Sequence, residues 1–174
     1  MNVPSLRTER LTLRAHRLED FPALASMWAE PEVFRFIGGK ASTEQESWTR
    51  LLKFSGHWAL QGFGYWAVEE TAGGRYIGDV GFADHKRDMT PSIAGLPELG
   101  WVLSPAVHGR GYATEAVRAA LAWGDAQGWT RVVCIIQPEN LASIRVAEKC
   151  GFGEMTPAVH GGNPTQLLTR MTKN

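Results

Sequence analysis

Apolar and polar residues change period several times along the chain, and each change marks an element. Leu11 to His16, in "LTLRAH", alternate as a strand does; "DFPALASMWA" then carries apolar residues at helical spacing behind Asp20, a residue able to cap. "TEQESWTRLLKFSGHWAL" also has a helical period, with Ser42 or Thr43 as cap and Trp48, Leu51, Leu52 and Trp58 on its apolar side. The pattern next turns to aromatic and β-branched runs, "YWAVEE", "RYIGDVGFAD" and "ELGWVLS", separated by "TAGG" and "HKRDMTPSIAGLP", and predicts three antiparallel strands. "ATEAVRAALAWGDAQG" puts Ala116, Val117, Ala120, Leu121 and Gly124 on one helical face and closes at Gly128. "TRVVCIIQ" reads as a strand buried on both faces. "NLASIRVAEKCGF" reads as a short helix capped by Asn140 and stopped by Gly151, and "GEMTPAVHGGNPTQLLTRM" as a hairpin turning at "HGGNP". The sum is a single mixed α+β domain, β-α-α-β-β-β-α-β-α-β-β, expected over residues 9–172.

Composition narrows the function classes. At 174 residues the chain is long enough to bury a real core. Lys plus Arg equals Asp plus Glu at 18 each, so no global field favours nucleic acid or an anionic membrane, and any anion must be recognised locally. The opening "MNVPSLRTERLTLR" lacks the apolar core of a signal peptide, and no later run approaches the roughly 20 apolar residues of a membrane span, so a cytoplasmic protein is expected. Cys134 and Cys150 are too few for a disulfide scaffold and lack metal-ligand spacing; both read as reduced core thiols, and no metal is expected.

The stretch "PAVHGRGYATEA" joins a strand to a helix through two glycines and an arginine. A helix start exposes unpaired N–H groups and the positive end of the helix dipole, so this turn suits a phosphate. It equally suits a tight turn that needs glycine for positive φ. It has neither the Lys-Ser/Thr pair of a nucleoside-triphosphate loop nor the third glycine of a dinucleotide fingerprint.

Read together, "ELGWVLSPAVHGRGYATEA" and "PENLASIRVAEKCGF" resemble the GNAT N-acetyltransferase superfamily, and within it the ribosomal-protein N-terminal acetyltransferase branch. The superfamily's acyl-CoA loop, Gln/Arg-x-x-Gly-x-Gly/Ala, is matched by His108, Gly109, Arg110, Gly111, Tyr112 and Ala113, with His108 departing from the pattern. The branch's second motif is matched by Asn140, Ser143, Glu148, Lys149, Gly151 and Phe152.

The resemblance implies a mostly antiparallel twisted sheet with helices on both faces and a V-shaped splay between the strands at about 97–104 and 130–136. Acetyl-CoA would lie in that splay, its pyrophosphate on the amides of Gly109 to Thr114 and its pantetheine arm along the backbone of Val102, Leu103 and Ser104. Arg110, and less so Arg145, would either meet another phosphate or stay solvated. Asn140 would reach the pantetheine arm, cap its helix, or both.

Acetyl transfer needs a neutral amine, and an alkylammonium has a pKa of about 10, so a base is useful. Period-two geometry puts Glu98, Gly100 and Val102 on one face, and the resemblance makes Glu98 that base; its plain alternative is a surface carboxylate on an edge strand. A backbone N–H on a strand bulged near Leu103 would serve the oxyanion. Ala147 stands where many members have a tyrosine acid, which makes Ser143 the candidate acid or thiol donor, unless it only bonds its own helix end. Tyr112 reads as packing.

A covalent route through Cys134 or Cys150 is the competing mechanism, and a non-catalytic acyl-CoA-binding or regulatory domain the competing function. The acceptor pocket is expected from "PEVFRFIGGKAS", "HKRDMTPSIAGLP" and the aromatic residues Phe34, Phe36, Trp66 and Trp101, with His85 either on the acceptor side or an ordinary loop residue. Seven tryptophans raise the idea of an aromatic cage for a cation, though helix and strand spacing accounts for most of them as core. Peptide N-termini and small amines both remain open as acceptors, for a monomer or a homodimer.

Overall fold

A nine-stranded sheet, built by the alternating runs and described over residues 3–172 in a computed structural model, organises the chain. Its strands are β1 (Leu6–Arg7), β2 (Leu11–Arg14), β3 (Tyr65–Glu70), β4 (Arg75–Ala83), β5 (Met89–Thr90), β6 (Glu98–Leu103), β7 (Arg131–Ile136), β8 (Glu154–His160) and β9 (Asn163–Met171), in the spatial order β1-β2-β3-β4-β6-β7-β9-β8-β5. Every neighbouring pair is antiparallel except β6 and β7.

Helices cover both faces. Leu24 and Met27 of α1 (Phe21–Trp28) and Leu51 and Phe54 of α3 (Glu44–Gln61) pack with Tyr65 and Ala83 on one side. Ala116, Val117, Ala120 and Leu121 of α4 (Tyr112–Ala126) pack on Leu11, Leu13, Val80, Phe82 and Leu99 on the other, with α5 (Leu141–Lys149) beside α4. The predicted face of α4 is thus the buried one. Helix α3 begins with a reciprocal cap: Thr43 Oγ1 accepts from the Glu46 N–H at 3.1 Å while Glu46 accepts from the Thr43 N–H at 2.8 Å. The closing hairpin turns at Gly161 (φ 55°) and Gly162 (φ 79°), the two positive φ values a tight two-residue turn needs.

Four local expectations change. The first strand stops at Arg14, whose guanidinium pairs with Asp20; Asp20 also accepts from the Arg17 N–H at 2.8 Å, so it pins a 3-10 turn (Leu18–Asp20) instead of capping α1. A short helix, α2 (Pro31–Phe34), forms inside the stretch read as an acceptor loop, with Pro31 at its first turn. The two-residue strands β1 and β5 carry no period of their own and exist only through their partners β2 and β8. Glu98 is on a central strand and only 4% exposed, not an edge-strand surface group.

Candidate active site

Strands β6 and β7 pair in parallel at one residue pair, Glu98 with Val133, and then separate, which opens a wedge in the middle of the sheet. The Ser104 N–H is spent on Ile77 O at 2.8 Å, and the Val102 carbonyl is turned toward Gly78 on β4. Because a strand's backbone groups alternate sides, Leu103 is the residue of this trio whose N–H and C=O face the open side. The expected backbone role of Val102 and Ser104 toward a ligand is therefore corrected, although Val102 is among the residues lining the cleft. The expected bulge in β6 is also absent: Glu98 to Leu103 pair with Ala83 to Gly78 in unbroken register, and the irregularity lies next door, where β3 and β4 shift at Val68 and Glu69.

His108 now has a place. Its Nε2 donates to Leu103 O at 3.0 Å, tying the loop after β6 back to the strand end. Beyond it, Gly109 and Gly111 have φ of 76° and 78°, and Gly111 begins α4 without a side-chain cap. The first N–H to return to the turn is that of Glu115, to Gly111 O at 3.1 Å, so the amides of Tyr112 to Thr114 point outward at the positive end of α4.

This loop is held by residues that sequence reading did not single out. Arg10 Nη1 donates to Arg110 O at 2.9 Å, Arg10 Nε to Glu115 at 2.7 Å, and Thr8 Oγ1 to Glu115 at 2.6 Å. Glu115 in the first turn was legible as a dipole-compatible acid; its partners, about a hundred residues away in sequence, were not. Glu70 accepts from Tyr112 Oη at 3.2 Å and lies 3.9 Å from Arg110, so Tyr112 is a packing residue here and Arg110 is partly neutralised. Arg145 is exposed on α5.

The wedge widens into a cleft of about 1010 Å³. Glu98, Asn140, Ser143, Phe36, His85 and Trp101 all line it. Arg87 grips Glu98 with Nε and Nη2 at 2.6 and 2.7 Å, and its Nη1 donates to His160 Nε2 at 3.2 Å. Burial alone would lower the guanidinium's pKa, but its bonds to Glu98 outweigh that and raise it. No sequence spacing marked Arg87 as a partner. Asn140 Oδ1 accepts from the Ser143 N–H at 3.2 Å, which is its capping role and leaves its amide nitrogen uncommitted.

Two of the acceptor-side residues do not reach the cleft. Trp66 is 0% exposed and packs edge-to-face with Trp58 and Trp123, its Nε1 donating to Pro4 O; Phe34 ends α2 outside the lining. Trp58, Trp66, Trp123 and Trp129 form one aromatic core with Phe82, and Trp28 already carries the Arg50 guanidinium 3.6 Å above its ring. An aromatic cage for a cationic ligand is therefore not what these rings build. Cys134 faces the cleft from a fully buried position, and burial raises its thiol pKa well above normal; burial also raises that of Cys150, so neither is an activated nucleophile.

Residues 10–153 match the family model described as "Acetyltransferase (GNAT) domain". The chain belongs to the GNAT acetyltransferases. It is 30% identical over 153 residues to the uncharacterized N-acetyltransferase p20 of Bacillus licheniformis, covering 85% of this chain and 82% of that one. A GNAT-family acetyltransferase from Bordetella pertussis superposes with a TM-score of 0.84 at 31% identity, covering 97% of this chain and 99% of that one. At 15% identity the likeness is one of fold alone: RimL, the ribosomal L7/L12 α-N-protein acetyltransferase solved with coenzyme A, gives a TM-score of 0.76 and covers 97% and 98%. The GNAT chain described here is accordingly an N-acetyltransferase with a mixed, mostly antiparallel open sheet.

Proposed function

We propose that the protein transfers an acetyl group directly from acetyl-CoA to a primary amine while both substrates are bound. The observation that carries this reading is the single-residue pairing of β6 and β7 beside a glycine-rich, side-chain-free start of α4. Acetyl-CoA supplies an activated thioester. The outward amides of Tyr112 to Thr114 suit its pyrophosphate, and open space around Gly109, where an added Cβ would touch nothing within 4 Å, lets a ligand approach the backbone. By alternation along β6 the Leu103 N–H is directed away from β4, and it is the candidate fixed donor where negative charge develops on the carbonyl oxygen.

Glu98 is the proton acceptor for the amine in this reading. Both of its oxygens bond Arg87, but a carboxylate has about four lone-pair sites, so each oxygen keeps room for a water that relays the proton. Ser143, at the first turn of α5, lines the cleft with Asn140, and its hydroxyl is assigned as donor to the departing thiolate. A thiol pKa of about 8.5 means that this donor need not be a strong acid.

Initial-rate kinetics with a thiol reagent tests the proposal. Intersecting double-reciprocal lines are expected. Parallel lines, or an acetylated cysteine after incubation with acetyl-CoA alone, would overturn direct transfer.

A further inference from the structure

Arg50, Lys53, Phe54 and His57 stand at i, i+3, i+4 and i+7 of α3, share one face of that helix, and all line the cleft. That face is basic. Arg35, Arg50, Lys53 and Arg87 bring four cations to the cleft wall against two carboxylates, Asp84 and Glu98. Both carboxylates are taken: Asp84 accepts from Lys86 Nζ at 2.6 Å, and Glu98 from Arg87. Among the described residues, no acidic side chain forms an ion pair with Arg35, Arg50 or Lys53.

The wall is also underused in hydrogen bonds. Arg50 lies flat on Trp28 and gives one bond, Nη1 to Ser42 Oγ at 3.2 Å, so most of its five donors remain along the free edge. The buried Asp79 attracts it from a distance, but that carboxylate already accepts from Tyr76 Oη at 2.7 Å and pairs with His16 Nε2 at 2.8 Å. The Nδ1 of His57 is buried without a partner. His57 and His85 meet at 5.5 Å between ring centres and add no positive charge, because burial and the cations around them hold both imidazoles neutral. Lys53 is the cation between these groups: it is solvent-exposed as a residue, and partial desolvation first, then the charges of Arg50 and Arg87, lower its pKa, so it stands in a mutually repelling set.

A chain of zero net charge that gathers these cations on one cleft wall, without acidic partners for Arg35, Arg50 or Lys53 among the described residues, presents an anion-binding surface there. Taking amine acetylation as proposed above, we infer that the acceptor carries an anionic group, a carboxylate or a phosphate, seated on Lys53 and the free edge of Arg50. The acceptor is thus a small amino acid or aminoalkyl phosphate and not a polyamine or aminoglycoside. The edge of a guanidinium takes two oxygens of one such group, and Lys53 adds a point charge. A polycation meets the same wall as repulsion. Lys53 feels both Arg87 and Glu98, which brings the anion site near the proposed proton acceptor and fits an acceptor whose amine and anion are a few bonds apart.

Thiol release measured on matched acceptors tests this: L-amino acids against their amides, O-phosphoethanolamine against ethanolamine, plus spermidine, an aminoglycoside and acidic peptides. The anionic member of each small pair is expected to have a kcat/KM about 10-fold or more higher, and whichever pair shows the larger gap separates carboxylate from phosphate. Lys53→Gln should erase most of that gap and Lys53→Glu reverse it, with the KM for acetyl-CoA unchanged. Equal rates within each pair, or a preference for the polycations or peptides, would overturn the inference while leaving acetyl transfer intact. Calorimetry of the same acceptors on the CoA-loaded protein reads the anion site without turnover. Selective binding of the anionic members with no thiol release would sustain the anion site and sink the transfer reading; loss of selectivity there would sink the inference.

Discussion

Arg87 holds both carboxylate oxygens of Glu98, at 2.6 and 2.7 Å, at the one point where β6 and β7 still touch. The proposed base is therefore fixed in place by a partner from the loop before β6. Glu98→Gln should lower kcat by about 100-fold or more, the usual scale of general-base loss, with acetyl-CoA binding little changed. An unchanged rate across pH would remove Glu98 from the chemistry.

Burial, Arg87 and Lys53 push the His85 imidazole down to about 3, and burial lowers His57 as well. Between about 3 and 6.5 the unfolded chain therefore binds a proton that the folded chain refuses, and stability rises with pH across that window. His85→Gln should narrow the difference between the Tm at pH 4.5 and that at pH 7.5. In NMR, the His85 ring should show no titration step between pH 5 and 8.

His108 is worth one hydrogen bond, from Nε2 to Leu103 O. Removing it in His108→Ala costs about 1 kcal/mol of loop ordering, roughly 5-fold in the Kd for CoA by calorimetry. His108→Gln, which keeps a donor, should recover part of the loss, and equal affinity in all three proteins would show that the bond does not position the loop.

Gly111 has φ of 78°, and a Cβ there meets Arg10 only at 3.6 Å, so the cost of Gly111→Ala is the backbone conformation and not a clash. About 1–2 kcal/mol of stability should be lost, together with CoA affinity. Gly153→Ala, in open space without a positive φ, is the control and should change the Tm little.

Much of the fold was readable because its signals are local. The period of α4 named its buried face, Ser42 or Thr43 was legible as the cap of α3 and Thr43 takes that role, and "HGGNP" contained the two glycines of the hairpin turn. The glycine-rich helix start was equally plain, since an open N-terminus needs only its own backbone. The misses share a different cause. Trp66 has the composition of a ligand-binding aromatic, but a side chain pointing to the α4 face of β3 joins the core. Val102 and Ser104 were expected to present backbone to the ligand, and strand pairing with β4 takes that backbone away.

The sequence by itself determined the order of elements, the helix faces and the anion-friendly turn at Gly109 to Thr114, because these follow from neighbours within a few residues. Only the tertiary structure decided that Arg87 grips Glu98, that His108 closes on Leu103, that Arg10 and Thr8 hold the turn through Glu115, and that Arg50 and Lys53 line the cleft with no acidic partner among the described residues. Pairing across the sheet and packing of α3 over it bring these groups together, and the apolar pattern that drives such packing says nothing about which polar side chains will meet.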